Sequence, residues 1–147
     1  VKELGRRYIS EHLKQDALEL NNSKRLRDYL RFELLGETQE VFAVLCLDAS
    51  LRKISFKKLF YGSVNACDIS INQLLRYAIT QQATSIVIAH NHPLGRAYPS
   101  PADRHLTRQI QQACQLVDIY LIDHCIIALE GSFSFAEQQL IQPEIHR

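Results

Sequence analysis

The stretch Glu40–Asp48, "EVFAVLCLD", sets seven consecutive apolar residues between two carboxylates. A strand alternates its side chains between two faces, so an uninterrupted apolar strand must be covered on both. "SIVIA" (Ser85–Ala89) is a second run of this kind and reads as another central strand. Helices to cover them follow from the spacing of apolar residues. Asp68–Gln82 carries Ile71, Leu74, Leu75, Ala78 and Ile79 on one face, and Pro101–Leu116 carries Leu106, Ile110 and Ala113. Ser23–Leu35 reads as a helix with Ser23 as N-cap and Leu26, Leu30 and Leu34 in phase, preceded by a helix over Val1–Leu20. Arg52–Tyr61 forms a hairpin with the first strand through a turn at Ala49-Ser50. Two short strands are expected near Asp118–Ile122 and Cys125–Leu129, then a turn at Gly131, with "SFAEQQLI" closing the chain. Strands and helices interleave, which predicts an α/β fold with a mixed sheet flanked by helices on both faces. Residues 1–38 are read as N-terminal helices packed on or leading into a domain spanning 39–147.

Bulk properties narrow the class. The 147 residues suffice for one domain with a real core, and 46% hydrophobic with 22% charged residues is a globular composition. No apolar run approaches the roughly 20 residues that span a bilayer, and no signal-peptide pattern opens the chain, so no membrane partner is expected. Cys46, Cys67, Cys114 and Cys125 form no C-x-x-C pair, which suits reduced core thiols in a cytoplasmic protein. Net charge is +1, and Glu3, Glu11, Asp16, Glu19 and Asp28 dilute the basic residues of the first two helices. Nucleic-acid binding, which wants a concentrated basic patch, gets little support. Oligomeric state is not set by the composition.

The chemistry gathers after the second apolar run, in "AHNHPLGRAYPSPAD" (residues 89–103). His90 and His92 lie two apart, so in an extended chain both project to one side. Asp103 lies in phase with Leu106 and Ile110, which turns its carboxylate inward, where burial is costly unless it is paired or binds a cation. Ser100-Pro101-Ala102-Asp103 reads equally as a capping box with proline at N1. Two imidazole nitrogens and one carboxylate would leave a tetrahedral zinc ion with an open fourth position, the catalytic pattern. A general base is then needed near the ligands. Glu33, Glu37 and Glu40 precede the apolar strand, and Glu40 abuts it; an antiparallel pairing with Ser85–Ala89 would bring Glu40 to the same end of the sheet.

His90-x-His92, seven residues, Ser100, two residues and Asp103, with an upstream Glu, resembles the JAMM (MPN+) metalloprotease motif. "AHNHPLGRAYPSPAD", "FYGSVNA", "DIYLIDHCII" and "SFAE" more narrowly resemble the RadC family, over about Gln39 to Ile141. The first two helices fit less closely and look like a short form lacking the helix-hairpin-helix region of longer members. The resemblance implies a JAB/MPN α-β-α sandwich akin to cytidine deaminases, with Zn2+ held by His90, His92 and Asp103. It implies that Glu40 takes the proton of the attacking water and that Ser100 helps hold the oxyanion. The implied substrate is a peptide or isopeptide bond, and the family's historical label is DNA repair. Two departures stand out: Leu94 where the family usually has Ser after His-Pro, and "ACDISIN" in place of a more polar stretch. His124 also matches the family, and reads as a core or supporting histidine because three protein ligands suffice.

Other histidine-rich classes fail on spacing. HNH nucleases spread those residues over a ββα unit, zinc deaminases need H-x-E with P-C-x-x-C, and His-x-His amidohydrolases need a barrel of roughly 250 residues. The remaining alternative is a non-catalytic binding module of the same fold in a DNA-maintenance or mobile-element complex. An intact Glu40 favours the enzyme.

Overall fold

The computed structural model describes residues 22–63 and 69–141. The helix expected over Val1–Leu20, and Cys67, lie outside them. The described chain runs α1 (Ser23–Leu34), β1 (Val41–Leu47), β2 (Lys53–Tyr61), α2 (Ile71–Thr80), β3 (Ser85–Asn91), α3 (Pro101–Leu116), β4 (Tyr120–Ala128) and β5 (Gly131–Ser134). Its five strands form one mixed sheet in the order β2-β1-β3-β4-β5. Only the β3–β4 pair is parallel, joined through α3; the others are antiparallel.

All seven residues of β1 are buried, as an apolar strand between two helical layers must be. Phe42, Val44 and Cys46 point to the face covered by α2 and α3, where they meet Leu74, Ala78, Leu106 and Ile110. Val41, Ala43, Leu45 and Leu47 point to the opposite face, against Leu26, Tyr29, Leu30 and Leu34 of α1. The expected mixed sheet with helices on both faces is therefore the fold observed. Among the described residues, no helix is long and apolar enough to cross a membrane.

Several local expectations are corrected. Asn22, not Ser23, caps α1: its side chain accepts the Arg25 N–H, while the Ser23 hydroxyl binds the Glu137 carboxylate. Helix α2 begins at Ile71, because the Ser70 hydroxyl accepts the Gln73 N–H and ends the extended chain there. Strand β3 continues past Ala89 through Asn91. The two short strands expected near Asp118–Ile122 and Cys125–Leu129 are one strand, β4. Its polar centre does not interrupt it, since buried Asp123 accepts from the backbone N–H of His124 and Ala136 and from the Ser134 hydroxyl. Gly131 opens β5 opposite Ala128 instead of only turning the chain.

Candidate metal centre

Register delivers the site. Phe42 of β1 pairs with His90 of β3, so extending the antiparallel register by two residues sets Glu40 opposite His92. Helix α3 starts beside this end of the sheet, with the Asp103 side chain turned onto the inner face and only 1% of the residue exposed. His90, His92 and Asp103 bring one donor atom each to within 4.8 Å of one another. His90 Nε2 lies 3.0 Å from His92 Nε2 and 3.3 Å from Asp103 Oδ1, and His92 Nε2 lies 3.6 Å from Asp103 Oδ2. A tetrahedral ion with bonds of about 2.0–2.1 Å would space its ligand atoms about 3.3 Å apart. The separations bracket that value.

Hydrogen bonds on the far side of each ring set the tautomers. His92 Nδ1 lies 2.8 Å from the Arg96 carbonyl, which can only accept, so Nδ1 carries the hydrogen. Behind His90 runs a longer chain. The Thr107 hydroxyl donates to the Asp103 carbonyl at 2.7 Å, and therefore accepts from His124 Nδ1 at 2.6 Å. His124 is wholly buried, and burial holds its imidazole well below the ordinary value of 6.5, so the ring is neutral. Its Nε2 must then accept from His90 Nδ1, at 2.8 Å. Both histidines are left with a bare Nε2 facing the other and the Asp103 carboxylate. Two lone pairs at 3.0 Å need a cation between them, and here the fit to a metal ion rests on the donor set itself.

Electrostatics agree. Burial would raise the Asp103 carboxyl, but once a proton stands in for the cation between the rings, hydrogen bonds from the His90 and His92 side, together with the Ser100 N–H, hold it well below the usual carboxylate range. Hydrogen bonding to Asp103 raises His92 above 6.5 against the opposing effect of burial. Without a metal the site therefore favours a proton in its place. The helix start expected at Ser100 is present in full: Asp103 N–H binds Ser100 Oγ at 3.0 Å and Ser100 N–H binds Asp103 Oδ2 at 2.8 Å. Capping uses Oδ2 and leaves Oδ1 facing His90. Cap and ligand are compatible roles.

Glu40 is held differently. Asn91, between the two histidines, accepts the Val41 N–H on Oδ1 at 2.7 Å and donates Nδ2 to the Gln39 carbonyl at 3.0 Å. Gly62 N–H donates to the Glu40 carbonyl at 2.8 Å, at a φ of 121° that favours glycine. The carboxylate lies with Oε1 4.0 Å from His92 Nε2, and Oε2 is buried without a hydrogen-bond partner. Glu40, Ser100, His92 and Asp103 line one cleft of about 550 Å³. Glu37 instead pairs with Lys58 at 2.6 Å, and Glu33 is buried on α1 beside Tyr29. Sequence reasoning missed Asn91 and Thr107; a threonine four residues after Asp103, in phase with the buried stripe, was the available signal for the second.

In this mixed α/β sandwich a His-x-His pair at a strand end and a helix-borne Asp form a cluster that could hold a metal ion. The RadC-like JAB domain model matches residues 20–140, and the chain belongs to that family. It is 67% identical over 141 residues to a UPF0758 protein of Acinetobacter baylyi, covering 96% of this chain and 52% of that protein. A UPF0758 protein of Psychrobacter cryohalolentis is 44% identical, covering 94% and 60%. One of Pseudoalteromonas translucida is 43% identical, covering 96% and 62%. The chain thus spans about half to three fifths of the length of these curated relatives.

Proposed function

We propose that this chain is a zinc-dependent hydrolase of the JAMM type, cleaving a peptide or isopeptide bond with an activated water. The supporting observation is the buried, unpartnered Oε2 of Glu40, on a clamped backbone beside three converging metal-ligand atoms. His90, His92 and Asp103 would hold the ion through Nε2, Nε2 and Oδ1. When bound, zinc supplies Lewis acidity, which acidifies water and polarises the substrate carbonyl. Glu40 takes the proton of the attacking water on its free oxygen and returns it to the departing amine nitrogen, leaving a carboxylate and an amine. Ser100 Oγ already accepts from Asp103 N–H, so its own hydrogen is the one to donate to the carbonyl oxygen as charge develops there. Buried free thiols at Cys46 and Cys125 suit action in a reducing cytoplasm.

The test is a screen of peptide and isopeptide conjugates with zinc-loaded protein, run beside Glu40→Gln. Cleavage by the wild type that falls by about 10²–10⁴ in the variant supports the reading. Equal cleavage by both would remove Glu40 as the base, and a zinc-loaded wild type that binds conjugates without cleaving any would make the chain a binding module.

A further inference from the structure

The loop between His92 and Ser100 is tied down by polar contacts. His92 Nδ1 binds the Arg96 carbonyl, Ala97 N–H binds Glu130 Oε1 at 2.9 Å, and the Tyr98 ring sits edge-on to Phe133 at 5.8 Å. Near its tip, Leu94 is fully exposed. Facing it, the β4–β5 turn carries Leu129, 74% exposed, and the end of α1 carries Leu35, 40% exposed. The turn is also fixed, because the Arg31 guanidinium donates to the carbonyls of Ala128, Leu129 and Gly131. Three large apolar side chains on three separate segments are thus held out in water by polar anchors.

These leucines border one hollow of about 370 Å³. Thr38, His92, Pro93 and Leu94 line both this hollow and the cleft holding Glu40, Ser100 and Asp103, so the two adjoin across those residues. The carboxylate that borders the apolar part, Glu37, is already paired with Lys58. Apart from Glu37, Thr38, Asn91 and His92 the lining is apolar, and a preformed apolar trough binds an apolar group with little ordering cost.

We infer that the substrate carries an apolar side chain next to the scissile bond, seated between Leu35, Leu94 and Leu129, with Leu94 determining specificity. This rests on the hydrolase reading and assigns its substrate class. His92 itself lines this hollow, so its occupant lies beside the candidate metal centre, which is why it belongs to the substrate and not to an unrelated ligand.

Hydroxamates test this without turnover, since the headgroup anchors on the metal while the tail samples the trough. Acetohydroxamate, 4-methylpentanohydroxamate and 4-carboxybutanohydroxamate would be titrated by calorimetry into zinc-loaded protein. The branched apolar tail should bind at least about tenfold tighter than the acetyl compound, a modest share of what burying the added carbons can give. The acidic tail should show no gain. Leu94→Asp should cut the ratio of branched-tail to acetyl affinity to under about threefold, and Leu129→Ser should reduce that ratio in the same direction. Equal binding of all three by wild type overturns the trough and leaves the metal centre standing. No binding of any hydroxamate to zinc-loaded protein overturns both. A dimer in sedimentation that Leu94→Asp dissociates, together with tail-independent binding, would assign the trough to a second copy of the chain and overturn the inference.

Discussion

The ligand cluster and the Glu40 corner lie on one cleft but are built in opposite ways. In the cluster, the side chains are held from behind: His92 by the Arg96 carbonyl, His90 by His124 and Thr107, Asp103 by its own helix cap. At Glu40 the backbone is held, by Asn91 on either side and by Gly62, while one carboxylate oxygen has no partner. The difference follows from the tasks proposed for each. A metal ligand must present one lone pair in one direction, so its tautomer and ring angle are fixed. A proton carrier must gain and lose a hydrogen, so it needs a fixed position with an oxygen left open.

Substitution separates the two halves most sharply at their centres. Glu40→Gln should keep the zinc content of the wild type and lose about 10²–10⁴ in turnover. His92→Ala should lose both, with zinc affinity falling by more than about 100-fold, since even loss of a supporting partner gives 10–100-fold. Metal analysis after gel filtration, paired with a cleavage assay, reads both outcomes; zinc retained by His92→Ala would break the contrast.

The supporting residues give smaller effects of the same two kinds. His124→Phe keeps an aromatic ring against Phe135, which stacks on His124 at 4.5 Å, but removes the acceptor for His90. Zinc affinity should drop about 10–100-fold in competition with a chelating dye. Asn91→Leu should leave zinc affinity nearly unchanged but strand the Val41 N–H, costing about 1–3 kcal/mol in denaturant melts. Its turnover should fall as Glu40 loses its placement. If Asn91→Leu weakened zinc more than His124→Phe, the division between side-chain and backbone support would be wrong.

The smallest effect is on the metal-free protein's pH dependence. Asp103 is held low, so its contribution to stability is full above the ordinary carboxylate value of 3.8 and lost as pH falls further. His92 is raised, so its contribution is full below 6.5 and lost as pH rises through its folded value. Chelator-treated protein should gain most from this cluster between those values, and zinc should add most stability above them, where His92 gives up its proton. Thermal melts across pH 4–8 with and without zinc check the crossing; a zinc increment that shrinks as pH rises would contradict it.

How much of this could be read from the chain depends on distance along it. The centre of the sheet was legible because β1 and the Ile86–Ala89 stretch of β3 are apolar throughout, and Pro101–Leu116 was legible to the residue because capping box, proline and stripe coincide. The convergence of His90, His92 and Asp103 was legible for the same reason: strand end, loop and helix start are consecutive. The Asn91 clamp depends on the β1–β3 register, and the Thr107–His124 link on how α3 lies over β4; neither leaves a pattern in spacing. Asp123 and His124 looked like a break in β4 because their partners Ser134, Thr107 and His90 are elsewhere in the chain. Leu94 was visible only as a departure. Its meaning needed Leu35 and Leu129 beside it.

The nearness of the three ligands in the chain bears on how the molecule assembles. The segment from His90 to Asp103 closes only a short loop, whose entropy cost is small, whereas bringing Glu40 to it requires the distant β1–β3 pairing. A nascent chain could capture its ion on the strand–loop–helix unit early and dock the base last. On the hydrolase reading, a chain whose β1–β3 pairing has not formed holds its ligand residues together without the base beside them.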